Sequence, residues 1–147
     1  MNPLVEAARR YVGVRFVHQG RTERGLDCVG LIWIAYRDCG VTLDRYRAYP
    51  AEPNPDEMVQ RISEALGDPV ASGKVKVNDM RPGDVILMVL VGEMQPHHVG
   101  IVADYAFGDR LSVIHAHSMA SPKGRVVEHR LAPSLLSRIT HVFRRDV

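Results

Sequence analysis

Cys28 stands between a glycine-bearing turn and an apolar run, Gly25-Leu26-Asp27-Cys28-Val29-Gly30-Leu31-Ile32-Trp33-Ile34. The glycines and Asp27 predict a turn, and the run after Cys28 predicts a buried helix, so the thiol falls on the first turn of a helix. Backbone N–H groups there lack partners and the dipole end is positive, which favours thiolate over thiol. His98 and His115 follow far downstream, each in a segment that reads as a strand. A thiol at a helix start, with imidazoles arriving from a sheet, suits covalent catalysis. One histidine takes the thiol proton and returns it to a departing amine, while a third group fixes the tautomer and rotation of that histidine.

Period two puts His98, Gly100 and Val102 on one strand face, and Val113, His115 and His117 on a face of the next. A hairpin of 98–104 with 111–117 through a Gly108-Asp109 turn would bring His98 and His115 roughly opposite each other, with His97 turned the other way. A one-residue slip would turn one ring away. The competing reading of Cys28 is a buried structural thiol; polar Asp27 and the glycines, which allow close backbone approach, favour the nucleophile. His98, His115 and His117 could also make a metal set, but no Asp or Glu group accompanies them, and zinc would not need a cysteine at a helix start. Neither metal nor cofactor is expected. Cys28 and Cys39 lie about three helical turns apart, roughly 16 Å, beyond disulfide reach. Cys39 reads as a small buried hydrophobe near a helix end closed by Gly40.

The elements that must position these groups divide the chain in two. Leu4, Ala7, Ala8 and Tyr11 predict a helix over 3–12, with Pro3 in its first turn. Residues 14–26 read as a loop, 28 to about 38 as a central helix, and 41–55 as an irregular excursion holding Arg45, Tyr46, Arg47, Tyr49, Pro50 and Pro53. A further helix fits 55–66. After the Arg81-Pro82-Gly83-Asp84 turn, strands are predicted at 85–91, 98–104, 111–117, 125–130 and 139–144. Helices first and an antiparallel sheet second make an α+β domain, and 147 residues suffice for one such domain, 1–147. Apolar residues at 46% and charged residues at 24% are ordinary for a globular chain. A net charge of +2 does not argue for nucleic acid. The apolar runs are too short to span a bilayer, and the start Met1-Asn2-Pro3-Leu4-Val5-Glu6 lacks the basic and apolar regions of a secretory leader.

With these residues in order, the chain resembles the NlpC/P60 family of cell-wall cysteine peptidases, whose fold is papain-like. Leu26-Asp27-Cys28-Val29-Gly30-Leu31-Ile32 matches the nucleophile motif, and Arg81-Pro82-Gly83-Asp84-Val85 the segment ahead of the first core strand. His98-Val99-Gly100-Ile101-Val102 matches the base histidine, and Ile114-His115-Ala116 the third polar residue, preferred over His117 on that pattern. The resemblance implies N-terminal helices packed on a central antiparallel sheet, with Cys28, His98 and His115 as nucleophile, base and positioning residue. It implies cleavage of a peptidoglycan stem peptide, typically between γ-linked D-glutamate and a diamino acid such as diaminopimelate. Arg45 and Arg47 could meet stem carboxylates, and Asp27 and His18 are further candidate substrate contacts. Val29 stands where the family commonly has serine. Phe16 stands where much of it has a tyrosine hydroxyl, a role for which the Cys28 N–H and His18 are the available substitutes. Phe16-Val17-His18-Gln19-Gly20, Val127-Glu128-His129-Arg130-Leu131 and Val142-Phe143-Arg144-Arg145 are similar to the branch carried by bacteriophages and gene transfer agents. That branch implies a tail-tip location, made in the cytoplasm and acting on the periplasmic wall, with tail-tip or hub proteins as partners. A tail-tip structural protein with little activity is the alternative.

Overall fold

Helical spacing in the first half and alternation in the second resolve into a helical layer on a sheet. The structure, a computed structural model, describes residues 1–43, 55–90, 97–105, 110–118 and 124–147. In chain order the elements are α1 (Pro3–Arg9), β1 (Arg21–Thr22), β2 (Gly25–Leu26), α2 (Cys28–Asp38), α3 (Pro55–Leu66), β3 (Ala71–Ser72), β4 (Val85–Met88), β5 (His98–Asp104), β6 (Leu111–His117), β7 (Arg125–Arg130), α4 (Pro133–Leu136) and β8 (Ile139–Phe143). Among the described residues, six strands form one antiparallel sheet in the order β3-β8-β4-β5-β6-β7. Helices followed by an antiparallel sheet is the α+β class that the periodicity implied. The Gly108-Asp109 turn and the excursion with Arg45, Tyr46, Arg47, Tyr49, Pro50 and Pro53 lie outside the described residues.

Local chemistry explains each end of the central helix. Asp27 has extended backbone (φ −96°, ψ −174°), and its carboxylate accepts the Gly30 N–H at 2.7 Å, capping α2. At the far end Gly40 takes φ 85°. The Gly40 N–H then donates to Arg37 at 2.9 Å and the Val41 N–H to Tyr36 at 2.9 Å, a Schellman-type stop. Residues 30–36 of α2 are buried on every side, so the helix is internal. The first helix is shorter than its 3–12 pattern. Gly13, at φ 96°, turns the chain and donates to Val126 in β7 at 2.8 Å, pairing the backbone with the sheet instead of a further helical turn. Likewise β4 ends at Met88, three residues before the apolar run does, where Val89 donates to Arg138.

Two apolar layers hold the sheet. Leu4, Leu31, Ile34 and Met58 of the helices pack with Leu87, Val99, Ile101, Ile114 and Phe143 on one face. Ile86, Met88, Val102, Val113 and Val142 form the other face, covered by Met80, Leu135 and Leu136. The Pro-Gly-Asp turn fastens the start of β4 to both termini. Asp84 is buried and accepts two hydrogen bonds from Arg144, each 2.7 Å, and one from the Arg81 N–H at 2.9 Å. Asn2 caps α1 through the Leu4 and Val5 N–H groups and donates to Pro82 at 3.1 Å.

Candidate active site

Cys28 opens α2 and approaches β5 from the helix-covered face. Its sulfur lies against the backbone N–H of Val99, one residue along the strand from His98. Asp27 underlies this corner. One carboxylate oxygen takes the Gly30 N–H and the Arg21 guanidinium (3.0 Å), and the other takes the Gln19 N–H at 2.8 Å. Asp27 and Arg21 are both buried. Through both oxygens Asp27 fixes loop 19–21 to the start of α2. Gly30 makes that closeness possible, since a Cβ there would stand 1.9 Å from the Gly20 carbonyl oxygen. The glycine two residues after the cysteine is therefore a packing requirement of the loop that frames the thiol.

Burial decides the charge of the sulfur. Cys28 keeps partial exposure, but desolvation pushes its thiol up to about 12, with the Asp27 carboxylate adding to the rise and N–H donation from Val99 and Val29 opposing it. Loss of water and the neighbouring Asp27 carboxylate act against the thiolate that a helix start favours. Burial also pulls His98 and His115 well below the ordinary imidazole range, aided by repulsion from neighbouring histidines. The resting pair is a neutral thiol and a neutral imidazole. Iodoacetamide alkylation of Cys28 should accordingly accelerate by about tenfold per pH unit from pH 6 to 9. A rate independent of pH between 5 and 8 would reveal a standing thiolate and contradict this.

The histidines meet on a diagonal. β5 and β6 pair Ile101 with Ile114 and Val102 with Val113. Continued toward His98, that register faces Gly100 with His115 and His98 with His117, so the expected face-to-face placement of His98 and His115 is corrected. The bond forms nonetheless: His98 Nε2 and His115 Nδ1 are 2.7 Å apart, with ring planes at 79°. Gly100 supplies the room, since a Cβ there would lie 3.2 Å from the His115 Cβ and 2.7 Å from Val113 Cγ2. Both rings are buried. The bond at His98 Nε2 is made with His115, and the His117 ring stands nearby, its centroid 5.2 Å from that of His115 and 6.0 Å from that of His98.

One imidazole in this cluster was not anticipated. His129 Nε2 lies 2.8 Å from His115 Nε2. β7 pairs His129 with Val113, which puts it on the face of His115. Alternation within 125–130 holds that signal, but only together with the pairing register of β6. Among the other expected residues, His18 is exposed in the turn before β1, on the loop that Asp27 anchors. Arg45 and Arg47 lie outside the described residues. Cys39 is a half-buried helix cap rather than a core residue, and both cysteines are free thiols. Among the described residues no group of three or more His, Cys, Asp and Glu side chains is arranged to hold a metal, and no helix is long and apolar enough to cross a membrane.

Solved structures share this architecture. An NlpC/P60 family protein from Bacillus cereus superposes with a TM-score of 0.65 at 20% identity, over 99% of this chain and 40% of that one. The NlpC/p60 domain of the peptidoglycan hydrolase SagA matches at a TM-score of 0.60 and 20% identity, over 97% of this chain and 96% of that one. RipD from Mycobacterium tuberculosis, described as a non-catalytic NlpC/p60 domain protein, matches at 0.53 and 15%, over 97% of this chain and 94% of that one. This chain spans about 40% of the length of the Bacillus cereus protein and of a Staphylococcus aureus NLP/P60 family protein that it also resembles. No curated protein matches it. The model of the NlpC/P60 family covers residues 13–133, from the loop before Cys28 through the histidine-bearing strands, and on that match the chain belongs to the NlpC/P60 family.

Proposed function

We propose that this protein is a cysteine peptidase that hydrolyses an amide bond in the peptide stem of peptidoglycan, of the type joining γ-linked D-glutamate to diaminopimelate. The observation that carries the reading is the corner where the Cys28 sulfur meets the β5 backbone beside His98, itself bonded to His115. His98 takes the thiol proton as sulfur attacks the carbonyl carbon, so charge develops only along the reaction path. The Cys28 N–H, on the first turn of α2, is a donor for the oxyanion that forms. His98 then protonates the leaving amine, and water, deprotonated by His98, releases the acyl group. The likeness to SagA, a peptidoglycan hydrolase, supports the substrate class.

A binding protein without catalysis is the second reading. Phe16 in place of a tyrosine hydroxyl favours it, and RipD shows the fold adapted to peptidoglycan binding. Purified sacculi incubated with the protein, followed by mass spectrometry of the soluble fragments, decide between them. Fragments with a new N-terminal diaminopimelate support the peptidase, and intact stems with the protein retained on the sacculus support the binder. The proposed setting is a phage-like tail tip, contacting tail or hub proteins and delivering the enzyme to the periplasmic wall. Mass spectrometry of purified particles tests it, and a protein found only in the free cell fraction would exclude it.

A further inference from the structure

We propose that His129 is a positioning residue that sets the protonation pattern of the active site through a chain of three imidazoles. The inference rests on the reading of His98 as the base. It starts from a main-chain contact of His129, which is exposed on β7. His129 Nδ1 lies 3.0 Å from the carbonyl oxygen of Arg130, and a carbonyl only accepts, so Nδ1 carries the hydrogen. With its hydrogen on Nδ1 alone, His129 presents a bare Nε2. Across 2.8 Å, His115 Nε2 must donate to it, which leaves His115 Nδ1 bare. Across 2.7 Å, His98 Nε2 must in turn donate to His115 Nδ1, which leaves His98 Nδ1 as the basic nitrogen. One main-chain oxygen on β7 thus dictates which nitrogen of His98, on β5, is free to take a proton.

Geometry makes the chain selective. Successive rings meet at 79° and 77°, with centroids 4.9 Å apart at both steps, so each nitrogen points at the next ring's nitrogen rather than at its face. His115 is buried, and its two nitrogens are both spent inside the chain. Without His129, the Nε2–H of His115 loses its acceptor. The alternative tautomer, hydrogen on Nδ1, would oppose the hydrogen of His98 Nε2 and drive the proton of His98 to its other nitrogen, where it blocks the base.

Two variants and one spectrum test this. Long-range 1H–15N spectra at pH 7.5 should show His129 with its hydrogen on Nδ1, and His115 and His98 with theirs on Nε2. His129→Phe keeps a ring and removes the acceptor. It should mix the tautomers of His115 and His98 and lower kcat about tenfold, with KM within about twofold. His129→Gln, whose amide oxygen can accept from His115, should keep both tautomers and stay within about threefold of wild-type kcat. Hydrogen on Nε2 of His129 in the wild type, unchanged tautomers in His129→Phe, or equal loss in the two variants would overturn the proposal. The spectra need no substrate. An inactive protein refutes the peptidase reading and with it the role of His129 in catalysis, whereas the spectra by themselves decide whether His129 sets the tautomers of His115 and His98.

Discussion

Cys28→Ala should lower the release of stem-peptide fragments by about 10⁴-fold or more, and His98→Ala by nearly as much. Each removes one half of a step that needs both. Without sulfur no acyl-enzyme forms. Without His98 the thiol, held up at about 12 by burial and by Asp27, gives no useful thiolate near neutrality. Because the two act as a unit, the double variant should be no slower than either single one. The melting curve of Cys28→Ala should follow wild type closely, since Asp27 still caps α2 and the bonds to Gln19 and Arg21 persist, whereas the two variants lacking His98 should melt lower, having lost a buried ring and the partner of His115 Nδ1. Additive losses, or fragment release equal to wild type in Cys28→Ala, would mean that this corner is not where the bond is cut.

What the chain announced in advance divides along the line between local and non-local physics. The start of α2 was legible because Asp27, Cys28 and Gly30 carry the cap, the thiol and the missing side chain within four residues. The strands bearing His98 and His115 were legible from alternation, and their pairing from the Gly108-Asp109 turn signal between them. The diagonal offset was not, because the register is set by the whole ladder from Ile101 to Asp104. The burial of the Cys28 thiol was not legible for a related reason. A helix end is a local feature, whereas the burial that raises the thiol depends on everything the fold packs around it. The tie from Asp27 to the loop at 19–21 was hidden because Gln19 and Arg21 reach it only once that loop folds back on α2. His129 needed two registers at once, β5 on β6 and β6 on β7, before its place behind His115 could be seen.

Acid should unfold the protein well before its carboxylates are protonated. His98 and His115 are buried as neutral rings, so their folded-state pKa values lie below those of the unfolded chain. Below about pH 6.5 the unfolded chain binds protons that the folded chain refuses, and stability falls with pH. The sign is fixed: the contribution is whole above 6.5 and shrinks as pH drops through the unfolded value toward the depressed folded one. Once the unfolded-state rings are charged, each contributes a slope of about 1.4 kcal/mol per pH unit, so the two remove about 3 kcal/mol per unit, a large share of an ordinary domain's stability. His141, partly buried, adds to the slope in the same direction. The pH 7 to 5 window isolates the effect, because unfolded-state Asp and Glu titrate lower, and Glu128 and Asp38 are held lower still in the fold by their Arg and hydroxyl partners. Urea unfolding at pH 7, 6 and 5 measures it. The His98→Asn/His115→Asn double variant, which keeps polar groups at both positions but cannot titrate, should show a much flatter profile than wild type, with His141→Gln removing part of what remains. Parallel profiles for wild type and the double variant would show that these two rings take up protons in the folded state as readily as in the unfolded chain, and the neutral thiol–imidazole pair would lose its physical basis.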